Sequence, residues 1–247
     1  MRIKVYCVNI GEYIEIEGGA SLLDIARSVE TRLGFRPICC RVNNKTESLD
    51  FAVYHPKQLE FQGIATGSGP RVYTRSLCMM LYAALESVAP GAELTIEHSL
   101  SHGYYCRLKG CHDVPQELID VLKRNMAALA GADFPFVRHE DLTARVIELF
   151  ESRGLHSKAE LLRTTRQLYT VYYTLGDVAD SYYGALAPST GYISVFDLVK
   201  YRNGFLLMPF DPADPARPAV PGPQEKMYKA FTDYVDFNHV LGVSDAG

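Results

Sequence analysis

Leu168–Phe196 reads LYTVYYTLGDVADSYYGALAPSTGYISVF, and the segments before it frame it. It holds six of the chain's 16 tyrosines, at 169, 172, 173, 182, 183 and 192. A tyrosine has an apolar body and a polar tip, so a cluster of them suits a wall that is half packed and half wet. Asp177-Val-Ala-Asp180 lies between the two tyrosine groups, and the turn-rich Pro188-Ser-Thr-Gly191 follows the second. Composition supports two readings: a strand pair on an aromatic core, or the floor of a pocket that accepts a ring or a phosphate.

Working outward, the 247 residues suffice for one large domain or a few small ones, with the apolar and charged fractions of a folded globular protein. No apolar run approaches the ~20 residues that cross a bilayer, and MRIKVYCVNI lacks the layout of a signal peptide. The expectation is therefore a cytoplasmic protein with no membrane partner. Six cysteines, at 7, 39, 40, 78, 106 and 111, form neither a CxxC pair nor a disulfide framework and are expected as free thiols. The net charge of −4 argues against a binder that neutralises phosphates, so nucleic acid is not the expected partner.

Upstream, residues 2–8 and 13–16 read as strands joined through Asn9-Ile-Gly11. Ser21 caps a helix with Asp24 at its third position, and Gly34 ends it. Strands at 38–42 and 58–61 complete a small β-grasp unit over residues 1–63, and Ala65–Pro70 reads as a linker. A helix at 71–89 is apolar around most of its circumference. Strands at 94–96 and 104–108, a helix opened by Asp113 and Pro115, and helices at 140–153 and 157–162 lead to the tyrosine stretch. Strands at 194–201 and 204–208 follow, then a Pro-rich strap at 209–223 and a helix at 224–241. The fold class is α+β.

Chemistry is thin. His98, His102 and Cys106 have the spacing of one helix face, but Thr95, Ile96 and Gly103 favour a hairpin there. Cys78 and Ser76 have no histidine nearby in sequence, and no P-loop is present. No catalytic and no metal-binding residue is assigned.

Two resemblances add to this reading. Tyr73-x-Arg-Ser-Leu-Cys-x-Met-Leu-Tyr82 and Pro90–Cys106, after a β-grasp unit, resemble the N-terminal half of threonyl-tRNA synthetases, a TGS domain followed by an editing-type domain. The resemblance covers about residues 1–195. It puts that family's zinc-ligand positions on Arg75 and Met79, and near Ser181 or Tyr182 and Ala185 or Leu186, none of them fit for zinc. Val42-Asn-Asn-Lys45, Arg75-Ser-Leu-Cys78, Tyr182–Tyr192 and Phe196–Tyr201 also resemble bacterial uridine kinase-like nucleoside kinases. That second resemblance implies a non-catalytic accessory region, with residues 71–208 an editing-like domain without zinc ligands. Residues 224–247 would be a helix leading toward a kinase domain beyond residue 247. The kinase domain, with its ATP and Mg, would be the transferase and this region's partner; the region itself would need no cofactor. The alternatives are an RNA- or tRNA-binding module and a degenerate editing domain. The old editing cleft supplies the candidate site: Arg75 for an anion, Tyr182, Tyr183 and Tyr192 for a ring, and Ser189 and Thr190 as donors, with a nucleotide as the expected effector.

Overall fold

The computed structural model describes residues 1–224, 226–230, 233 and 237. It is a mixed α+β protein of several small sheets that separates into two compact units. Residues 1–80, 126–137 and 182–194 form the first.

In the first unit, β1 (Arg2–Cys7) and β2 (Glu12–Glu17) are an antiparallel hairpin. The Asn9 amide beyond β1 accepts from the Phe61 N–H at 2.7 Å and donates to the Phe61 carbonyl at 3.0 Å, a side chain standing in for strand pairing. β3 (Ala20–Ser21) leads into α1 (Leu22–Ser28), where Ser21 Oγ accepts from the Asp24 N–H at 3.1 Å, as the capping pattern predicts. The helix does not run unbroken to Gly34: it is interrupted at Val29, and α2 (Glu30–Leu33) follows. β4 (Cys39–Val42) and β5 (Lys45–Glu47) turn through Asn43 and Asn44, both at positive φ, the two-residue loop that matches strand twist. β6 (Ala52–Val53) pairs with β3, and β7 (Gln58–Gln62) lies parallel to β1 and antiparallel to β4. The five-stranded order is β2-β1-β7-β4-β5. Its core contains Val5, Leu22, Ile25, Val42, Leu59 and Phe61.

The segment read as a linker is a packed turn. Ser68 is buried; its N–H donates to Gln62 Oε1 at 2.8 Å, and its hydroxyl meets Thr46 Oγ1 at 2.8 Å. Thr66 and Gly63 bond to each other as well, so small, polar residues serve here for close approach rather than for reach. α3 (Gly69–Val88) consequently starts two residues before the expected boundary.

The second unit comprises residues 81–125, 138–181 and 195–247. β8 (Leu94–Leu100) and β9 (Gly103–Leu108) precede α4 (Gln116–Ala132). Then come β10 (Val137–Leu142), α5 (Thr143–Ser152), α6 (His156–Thr164), β11 (Tyr169–Leu175) and β12 (Val178–Asp180). The helix expected from residue 140 therefore begins at Thr143. Residues 138–142 pair instead as an edge of the sheet β10-β11-β12, a tertiary choice that overrides helical spacing. Phe150, Val146, Ala159, Leu162 and Ala179 make one core beside that sheet. β13 (Asp197–Tyr201) and β14 (Gly204–Met208) extend the antiparallel order β13-β14-β9-β8, and all five residues of β14 are buried.

The Pro-rich segment is not a plain strap. β15 (Phe210–Asp211) and β16 (Asp214–Pro218) pair as a short hairpin, the isolated two-stranded setting in which strand prolines are tolerated. Beyond it, Gln224 Oε1 accepts from the Ser101 N–H at 2.9 Å, and residues 226–230 are helical. Tyr228 packs edge-on against Tyr105 and Tyr201. The rest of the expected helix to 241 lies outside the described residues. Among the described residues, no helix is long and apolar enough to cross a membrane.

Candidate functional site

All six candidate residues fall in the first unit, on α3 or on the segment 182–194. Arg75 projects from α3 and donates from Nη1 to the Tyr183 carbonyl at 2.5 Å. Gly184 permits this approach: its φ is +124°, and a Cβ there would stand 2.2 Å from Arg75 Nη1. Tyr182 is half-buried, whereas Tyr183 is 81% exposed. Burial pushes the Cys39 thiol up to about 11, against the opposing pull of the Arg75 and Arg71 charges.

The segment is then locked to its unit by polar groups. Ser76, fully buried on α3, donates to the Val72 carbonyl at 2.9 Å and accepts from the Ala187 N–H at 2.8 Å. Thr190, also fully buried, donates to the Leu129 carbonyl at 2.6 Å and accepts from the Phe134 N–H at 2.9 Å. Ser189 donates to Asp133 Oδ1, which also accepts from the Gly191 N–H at 3.0 Å. The hydroxyls of Ser189 and Thr190 are thus committed to internal bonds. Tyr192 lies farther along, under Arg36, whose guanidinium carbon is 3.5 Å from the ring centre.

The structure therefore brings Arg75 to the backbone at Tyr183 and Gly184, and gathers Ser189, Thr190 and Gly191 around Asp133. Two residues absent from the sequence reading, Arg36 and Asp133, hold much of this segment. Asp133 follows α4 at positive φ, and neither its turn nor its long-range bonds leave a local sequence signal.

Elsewhere, His98 is on β8, His102 is at the hairpin tip with positive φ, and Cys106 is on β9, so the three do not share a helix face. The His98 ring packs against Tyr105 at 5.6 Å, and burial lowers its pKa. Among the described residues, no group of three His, Cys, Asp or Glu side chains could hold a metal ion.

No family model matches the sequence. It is similar to the threonine–tRNA ligase of Laribacter hongkongensis, 26% identical over 196 residues, which cover 79% of this chain and 31% of the ligase. The ligase of Rubrobacter xylanophilus is 27% identical over 79% of the chain and 30% of its own length. That of Clostridioides difficile is 24% identical over 82% and 32%. The chain spans about a third of the length of these curated relatives. They are tRNA ligases and not uridine kinases, which overturns the expectation of a nucleoside-kinase transferase, its ATP-binding domain as partner, and nucleic acid as an excluded one. The strings that suggested a kinase mark backbone geometry. Val42-Asn-Asn-Lys45 is a hairpin turn, and Pro188–Tyr192 is a segment bonded to Asp133 and Leu129. Such strings carry fold, not phosphoryl-transfer chemistry. The similarity supports a region like that of a threonyl-tRNA synthetase.

Proposed function

We propose that this chain is a non-catalytic tRNA-binding module. On this reading, residues 1–63 are a TGS-like β-grasp domain and residues 71–208 an editing-like α+β domain without zinc. One observation carries it: similarity to threonine–tRNA ligases runs through about four-fifths of the chain. The sheet order β2-β1-β7-β4-β5, with α1 in the crossover between β2 and β4, supports the β-grasp part. At the positions that resemblance matches to zinc ligands, Arg75 offers only a cation and Met79 a fully buried thioether, so the chemistry of a zinc hydrolase has no donor set there.

The net charge of −4 is no bar, because phosphate contacts depend on local cations, and Arg36, Arg71 and Arg75 all belong to the first unit. Fluorescence anisotropy with a labelled tRNA transcript tests the reading at about 50 mM and about 200 mM salt, where each neutralised phosphate contributes a slope of roughly −0.7 to −0.9 in log K against log salt. Saturable binding that weakens with salt is expected. No binding at the lower salt would overturn it, and amino-acid release from mischarged tRNA above the uncatalysed rate would overturn its non-catalytic part.

A further inference from the structure

The first unit carries a small open recess of about 160 Å³, below the ~300–1,000 Å³ of clefts that enclose a whole ligand. Leu23, Ala26, Leu49 and Pro37 supply its apolar part, but its exposed lining is mostly polar, with Arg27, Glu30, Arg36 and Tyr192 among the residues around it. Two cations and one anion face it: Arg36 and Arg27 against Glu30, with Arg27 only loosely paired to Asp24 at 3.7 Å.

Arg36 is unusually well fixed for an exposed arginine. Its guanidinium lies over the Tyr192 ring at 3.5 Å, and its Nη1 donates to the Gly191 carbonyl at 3.2 Å. Gly191 is itself tied to Asp133, and Pro37 behind Arg36 is buried. A guanidinium held against a ring on one side has a second planar face, and a planar cationic face beside a small, mostly polar recess suits both the face and the hydrogen-bonding edge of an unpaired nucleobase. The base gains stacking and polar contacts at its edge, and the sugar-phosphate that follows it meets the positive balance of Arg27 and Arg36. The interior of a duplex cannot use such a platform, because its bases are already stacked on both faces.

We propose that the Arg36–Tyr192 pair and this recess form a stacking site for one unpaired nucleotide of a bound RNA. The proposal rests on the RNA-binding reading above and names the part of the RNA that the first unit takes.

The test measures binding of the full chain to a labelled single-stranded RNA and to a blunt duplex of the same sequence. Arg36→Lys keeps the charge and loses the plane. It is expected to weaken single-strand binding about tenfold, the loss of one base stack, and to leave duplex binding within about twofold. Leu23→Trp, which fills the recess from α1 without changing the Arg–Tyr pair, should give the same selective loss. Tyr192→Phe retains the ring under the guanidinium and should bind as the wild type does. Wild-type affinity for single strands in both Arg36→Lys and Leu23→Trp, or equal losses for single strand and duplex, would overturn the site while leaving the RNA-binding module standing. Binding of neither RNA by the wild type would overturn both.

Discussion

At the scale of single residues, the candidate side chains are held by backbone more than by each other. Arg75 reaches the Tyr183 carbonyl only because Gly184 has no Cβ and adopts φ +124°. Gly184→Ala should displace the guanidinium and cost about 1–3 kcal/mol from the left-handed backbone, read as a lower denaturation midpoint in urea. The buried thiols make a second test. Burial pushes Cys39 from an ordinary value of 9.0 up to about 11, and raises Cys40 and Cys7 as well. Between those two values the unfolded chain has released a proton that the folded chain keeps, so folding stability is present in full below pH 9 and is lost as the pH rises toward 11. Denaturation midpoints should fall across that window, with a shallower fall in Cys39→Ala. The native thiols at 7, 39 and 40 should resist alkylation at a pH where an exposed cysteine reacts.

At the scale of elements, what the sequence shows and what it conceals divide by the range of the interaction. The Ser21 cap, the Asn43-Asn44 turn and the strand pair β13–β14 around Arg202-Asn-Gly204 are settled within a few residues, and all three are legible as written. The strand at 138–142 is not legible, because its partners lie some thirty residues on and helical spacing runs through it. The segment 182–194 is the extreme case: its path depends on Ser76, Leu129 and Asp133, far away in the chain. Ser76→Ala should therefore act on that segment as much as on α3. It leaves the buried Ala187 N–H without its acceptor, a cost of about 1–3 kcal/mol, and hydrogen exchange at Ala187 should accelerate while α3 itself stays protected.

At the scale of the whole molecule, the sheet β2-β1-β7-β4-β5 has a core cluster whose described residues all lie between Ile3 and Phe61. Residues 1–63 expressed alone should unfold cooperatively, though with the marginal stability expected of ~60 residues. A heat scan and a dispersed amide spectrum check this. Collapse of that piece would show that the later parts of the first unit, 126–137 and 182–194, are required for it. The α+β class, the order of most elements and the absence of a P-loop are legible in the sequence alone. Those follow from periodicity, turn chemistry and side-chain type, which are local. Only the tertiary structure decided that Ser189 and Thr190 are bonded inward, that the presumed linker is a packed turn, and that Arg36 lies on Tyr192. Each of these joins residues that are distant along the chain or turns on backbone angles at one position, and neither periodicity nor composition encodes which distant partner a polar group will find.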